Sequence, residues 1–387
     1  MNDIKKLINY TRTFVFFSVA MAVLLIPAAS AFADDETEFL KAAFSGKSET
    51  IKQLLEKGFN ANYQNDMGFS ALIIASQYGH ADIVNLLLEK NANVDLQNAG
   101  GATALIIAAK NGHADAVNTL LAKGAQVDVQ TTDGITALML AIQKGHESIV
   151  DALLAKGANF NLQTKEKVTA LMIAALEGRA SIVDKLLAKN AQIDVQASDN
   201  TTALYMAARN GHTAIVETLL AKNAPIDLLA ANDTTALYIA AQNGHADVVN
   251  ALLAKGAKVD LKDKNDATAL TLAALLGNAE VVKVLVKHGA KIDHKAANGF
   301  TALILAAQNG HTPIIELLLE NGAKIDLQND DGVTPLMWAA LHDHIDSVKA
   351  LLAKGANPKI KSKTGKTAVE IAKDPAIIEL LQTAAAN

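Results

Sequence analysis

TALYMAARNGH, residues 202–212, gathers a threonine, a tyrosine, an arginine and a histidine into one short stretch. Read alone, it resembles a small reactive cluster. Its meaning changes once the rest of the chain is searched for copies, because internal periodicity decides a fold before any single residue does. Thr-Ala-Leu recurs at 103, 136, 169, 235, 268 and 301, with Ser-Ala-Leu at 70, Thr-Pro-Leu at 334 and Thr-Ala-Val at 367. The step is 33 residues throughout, and one more step back reaches Thr37 at the head of TEFLKAAFSGK. Eleven units therefore fill residues 37–387, the first and last atypical.

Within a unit, residue types explain themselves. The Thr suits a helix N-cap, and Leu then precedes a small pair (Ala207, Ala208) that admits a close neighbour. Gly211 ends the first helix, where positive φ is favoured. Ile215, Val216, Leu219 and Leu220 form one apolar stripe of a second helix. In one copy Pro313 sits in that helix's opening turn, where a missing N–H costs nothing. Asp133-Gly134 is a turn signal before the next Thr. Lys167, Asn200, Asp233 and Asp266 replace the turn Gly, and Lys167 fits a left-handed backbone worst.

The pattern of turn, Thr-x-Leu, Ala-Ala, Gly-His, Ile-Val, Leu-Leu and Gly-Ala at period 33 resembles an ankyrin repeat array. The resemblance implies an all-α repeat solenoid of stacked helix–turn–helix units with short β-hairpin fingers. It also implies a concave groove, lined by fingers and first helices, that binds a protein partner and is not an enzyme. The expected domain organisation is a signal peptide over 1–33 and one ankyrin-repeat domain over 34–387. That domain has an N-terminal cap at 37–69, interior repeats at 70–366 and a C-terminal cap at 367–387. The C-terminal cap restarts a helix at Asp374-Pro375. The chain departs from the family pattern at two positions. Pro after the Thr survives only as Pro335, and the His two residues further on is replaced by Ile, Met, Tyr or Thr. The polar link that this His normally makes is expected to be missing, with apolar packing in its place.

Composition agrees. The chain of 387 residues is 50% hydrophobic but 4% aromatic, which suits close-packed helices built from Ala, Leu, Ile and Val. Its net charge of −5 offers no basic footprint for nucleic acid. The absence of cysteine excludes disulfides, thiolate metal sites and a Cys nucleophile. Lys5, Lys6 and Arg12, then the apolar run 14–26, then Ala-Phe-Ala at 31–33 (or Ala-Ser-Ala at 29–31), follow the pattern of a cleavable secretory signal. An uncleaved membrane anchor is the alternative, since residues 14–33 are long enough to span a bilayer. Cleavage after Ala33 removes Asp3, Lys5, Lys6 and Arg12, which leaves 32 basic and 39 acidic residues and a net charge of −7. The expectation is a periplasmic or secreted monomer, off the membrane after cleavage, that binds a protein partner. A secreted effector acting on host proteins is an alternative.

Candidate chemistry is sparse. His80, His113, His146, His212, His245, His311 and His344 occupy one repeat position, a structural one in the family. Arg179 and Asn278 replace it in two copies. His342 and His344, in HDHID (342–346), leave a metal- or ligand-responsive module as an alternative, but no metal or cofactor is assigned. Gln recurs six residues before the Thr, at 64, 97, 130, 163, 196 and 328, and reads as framework. The positions that vary while the frame stays fixed are the candidate partner-facing ones. Phe69, Ile135 and Phe300 immediately precede the cap residue. Tyr78, Leu176, Arg209, Gln242, Leu275 and Leu276 follow the small pair. Tyr205 and Tyr238 stand at the former His position, above Arg209 and Gln242 by helical spacing.

Overall fold

The computed structural model describes residues 33–386, so the leader lies outside the described residues apart from its last residue, Ala33. Helices come in pairs at the 33-residue step. The first of each pair includes Ala71–Tyr78, Ala104–Asn111, Ala137–Lys144, Ala203–Arg209, Ala236–Gln242, Ala269–Leu276 and Ala302–Gln308. The second includes Ala81–Glu89, Ala114–Ala122, Glu147–Ala155, Thr213–Ala221 and Ala246–Ala254. Ser70 and the threonines that follow it cap the first helices as their chemistry requires. Thr136 Oγ1 accepts the Met139 amide at 3.3 Å and Thr235 Oγ1 the Tyr238 amide at 3.1 Å.

The two helix types are buried differently. Ala104 to Ala109 are all buried, so the first helix is enclosed nearly all round. The second buries only its stripe, such as Ile215, Val216 and Leu219. The helix ends explain the Gly-His pair. Gly112 has φ 80°, and a Cβ there would stand 2.6 Å from the His146 ring of the next unit. Glycine thus meets a backbone need and a close approach at once. In the last full copy Asp343 takes the same left-handed position, with φ 59°.

The fingers are tight turns joined by backbone hydrogen bonds. The Gly68 amide donates to the Asn65 carbonyl at 2.8 Å, and the next finger follows through Ala99 N–H to the Met67 carbonyl at 3.1 Å. Isolated antiparallel bridges, Gln64 with Ser70 and Lys262 with Thr268, mark their bases. All four substituted turn positions adopt positive φ, Lys167 at 60° included. A further ladder connects consecutive loops. Asp95 Oδ1 accepts the Gln126 amide at 2.9 Å, and Asp128, Asp227, Asp260, Asp293 and Asp326 repeat the bond.

The chain divides into two compact units, one ending at Ile173 and the other starting at Ala174. The N-terminal end of the first is closed by helix Ala33–Ser45, which buries Phe39 and Leu40, with the Phe39 ring 4.6 Å from Phe59. Tyr63 donates to Glu36 at 2.9 Å, and burial, followed by this bond, raises its pKa to about 12. The second unit ends on helix Pro375–Ala386, whose first turn is capped by Asp374 Oδ1 accepting the Ala376 amide at 2.7 Å. No described helix is long and apolar enough to cross a membrane.

Candidate functional site

The polar residues of the opening stretch divide into frame and free positions. His212 Nε2 donates to the Leu176 carbonyl at 3.2 Å, and His245 Nε2 to the Arg209 carbonyl at 3.1 Å. His80, His113, His146, His311 and His344 do the same to Phe44, Gln77, Lys110, Leu275 and Gln308. Each bond runs to the end of the preceding unit's first helix, whose last carbonyls lack intrahelical partners. Asn278 reproduces it with its amide on Ala241 and Gln242. These seven imidazoles are consumed by the frame.

The recurrent Gln is frame as well. Gln130 Nε2 donates to its own turn at Gly134 (2.8 Å) and to the next unit's Gln163 carbonyl (3.0 Å), and Gln64 and Gln328 form the same double clasp. Lys295 takes over the second half by donating to the Gln328 carbonyl at 2.8 Å. Where Leu229 occupies the position, its side chain carries no donor for the clasp and is 44% exposed.

The expected loss of a polar link at the former His position is overturned in two copies. Tyr238 is buried, yet its hydroxyl donates to Asp263 Oδ2 at 2.8 Å, in the next unit's finger. Burial, then this bond, raises its pKa. Tyr205 reaches Thr234 Oγ1 in the next finger at 3.3 Å. Its pKa is raised by burial, partly offset by Thr234 and by Arg209 beside it. The tyrosines restore by length what the imidazole supplies by position. In another copy Thr271 closes a capping box with Thr268.

Within each unit the remaining candidates fall at the fingers and first-helix ends. Tyr78, half-buried, lies edge-on to Phe44 at 4.7 Å. Phe69, Ile135, Arg209, Gln242 and Leu275 are half-buried, and Leu276 is 46% exposed. Leu176 is only 9% and Tyr238 only 8% exposed, so these two spend their surface on packing. Phe300 stacks at a tilt on Trp338, ring centres 5.6 Å apart, and Trp338 lies flat on His342, also at 5.6 Å. His342 in turn stacks on His344 at 6.2 Å.

Trp338 was not singled out by sequence reasoning. It stands four residues after its cap, where Ile74 and Ile107 are fully enclosed. That position opens in later copies, since Leu272, Leu305 and Trp338 are all half-buried. The signal available was the chain's single Trp. Its Nε1 is buried without a hydrogen-bond partner. His344 is committed to Gln308 and His342 to the indole stack. Among the described residues no group of three or more His, Asp or Glu is placed to hold a metal ion.

Stacked helix pairs with turn fingers and a variable side-chain face define an all-α repeat solenoid of the protein-interaction class. The family model for ankyrin repeats (3 copies) matches residues 39–131, 105–197, 171–263, 204–296, 254–329, 291–362 and 321–385, and the chain belongs to the ankyrin repeat family. Among solved structures it is similar to the human ASB11 ankyrin repeat domain. The identity is 27% and the TM-score 0.52, over 56% of this chain and 98% of that one. No curated protein matches it.

Proposed function

We propose that the protein is an exported, non-enzymatic interaction module that grips a protein partner on its finger-and-helix face. The second unit supplies the anchor. The observation that carries this reading is an apolar row on one side of three consecutive repeats. Leu272, Leu275 and Leu276 come from the first, Phe300 and Leu305 from the second, Trp338 and Leu341 from the third, all half-buried or exposed. Clustered exposed apolar side chains mark interaction surfaces, and aromatic anchors carry a disproportionate share of binding energy.

Export rests on the leader pattern of residues 1–33. Fractionation of expressing cells and N-terminal sequencing test export. A chain retaining residue 1 in the cytoplasmic fraction refutes it.

The binding reading is tested by affinity capture with residues 34–387 beside a Leu276→Asp/Phe300→Ala/Trp338→Ala variant, each checked for native far-UV circular dichroism. Loss of about 2 kcal/mol or more per anchor corresponds to at least roughly a 30-fold weaker complex. Equal recovery of the same partners by both proteins refutes the assignment of the anchor.

A further inference from the structure

One finger of the second unit lacks three supports that its equivalents have. The loop ladder uses an amide 31 residues after each aspartate, and the residue 31 after Asp194 is Pro225, which has no N–H. The clasp needs a donor where Leu229 stands, and that side chain has none. The turn position that Gly134 and Gly299 fill elsewhere is Asp233. Asn232 and Asp233 are consecutive left-handed residues, φ 64° and 61°, a conformation unfavourable to any side chain.

The finger two repeats further on is an internal standard. It makes the same turn, Ala296 N–H donating to the Phe300 carbonyl at 2.8 Å as Ala230 N–H does to the Thr234 carbonyl at 2.8 Å. All three supports are present there. Lys291 N–H donates to Asp260 Oδ1 at 3.0 Å, Lys295 to the Gln328 carbonyl at 2.8 Å, and Gly299 takes the second left-handed position. A Cβ on Gly299 would lie 2.7 Å from the Asp330 amide nitrogen, so glycine is what lets the following finger approach.

The 225–234 finger is held to its neighbours by Ala231 N–H on the Asp199 carbonyl (3.0 Å) and Lys264 N–H on the Asn232 carbonyl (3.2 Å). Lys258 N–H on Asp227 Oδ1 (3.1 Å) and the neutral Tyr205–Thr234 contact (3.3 Å) complete its attachment. The following finger is strapped down more firmly, by the 2.8 Å bond from Tyr238 to the Asp263 carboxylate. We infer that residues 225–234 form a gate that opens locally while the helix pairs of the unit stay closed, and that opening releases the Tyr205 hydroxyl from Thr234. On the protein-binding reading above, that hydroxyl is then offered to a partner, whereas the opening itself needs none.

The test is native-state hydrogen exchange at single-residue resolution on the full chain, with each rate corrected for its intrinsic value. The Ala231 and Lys264 amides should exchange at least roughly tenfold faster than Ala297 and Asp330, which make the equivalent bonds to the Asn265 and Asn298 carbonyls at 3.1 and 3.0 Å. The Val249 amide, bonded to the His245 carbonyl at 3.0 Å, reports opening of the helix stack. It should exchange no faster than its equivalent, Ile315. Pro225→Lys/Leu229→Gln/Asp233→Gly restores all three supports and should slow Ala231 and Lys264 at least roughly tenfold, with Asp330 unchanged. Tyr205→Phe should speed Ala231 about twofold and leave Val249 unchanged. Equal rates at the two fingers, no slowing in the triple variant, a Val249 rate equal to that of Ala231, or an Ala231 rate unmoved by Tyr205→Phe each overturns the gate. Because these rates are read without a partner, their failure leaves the anchor reading to the capture experiment.

Discussion

Tyr238→Phe removes one hydroxyl from a buried ring and leaves the rest of the packing in place. The lost bond is short, 2.8 Å, and its acceptor is a carboxylate that also accepts the Asn265 and Ala267 amides on its other oxygen. Hydrogen bonds to charged groups contribute about 1.5–3 kcal/mol. Asp263 is half-buried and water can replace part of the contact, so about 1.5 kcal/mol is expected. Tyr205→Phe is the internal comparison, because its 3.3 Å bond joins two neutral hydroxyls. Such a bond contributes about 0.5 kcal/mol. Double-mutant cycles, Tyr238→Phe with Asp263→Ala and Tyr205→Phe with Thr234→Val, read by equilibrium urea unfolding, isolate the pairwise terms. Repeat arrays can lose two-state behaviour, so hydrogen exchange at the Thr268 unit should accompany the melts. A Tyr238–Asp263 coupling below about 0.5 kcal/mol, or one smaller than that of Tyr205–Thr234, refutes the view that tyrosine replaces the family's histidine link.

Three further outcomes follow from the geometry. Gly112→Ala should destabilise by at least about 1 kcal/mol more than Gly124→Ala, because both have positive φ but only Gly112 faces the His146 ring; equal losses in urea melts exclude the clash. Lys167→Gly should stabilise by roughly 1 kcal/mol by relieving a left-handed lysine, seen as a higher unfolding midpoint at unchanged slope. With the Lys110 pKa lowered to about 8, the unfolded chain holds that proton more tightly and stability rises as pH climbs from about 8 towards the ordinary lysine range. Lys110→Met should therefore stabilise at about pH 7 and flatten that rise, and an identical pH slope in both proteins contradicts it.

The frame was legible because each of its parts is local or repeats at one fixed spacing. Thr caps, left-handed glycines, the histidine row and the Gln clasp all follow from one unit and its neighbour in register. What escaped depends on side-chain reach between units. Tyr238 meets Asp263 across 25 residues, and the Asp95 type of loop ladder runs at a separation of 31, off the repeat period. Trp338 was hidden for a different reason. Its position is core in the copies at Ile74 and Ile107 and becomes surface only where neighbouring side chains leave room. Leu176, read as partner-facing by its register, is buried instead.

One residue per unit does two tasks through different atoms, which explains why the wall can vary without disturbing the stack. The residue seven places after the cap (Gln77, Lys110, Arg209, Leu275 or Gln308) offers its backbone carbonyl to the next unit's histidine. A carbonyl is present whatever the side chain, so lysine, arginine, leucine and glutamine all satisfy the frame. The side chain can then vary without loss of that bond. Arg209→Ala should accordingly change unfolding free energy by no more than about 0.5 kcal/mol, as expected of a substitution away from frame contacts. His245→Ala, which removes one of two donors to that same carbonyl (the Asn243 side-chain amide at 2.7 Å is the other), should cost about 1 kcal/mol or more. If Arg209→Ala costs as much as His245→Ala in paired urea melts, frame and recognition are not separable at this position, and the wall residues must be counted as part of the fold.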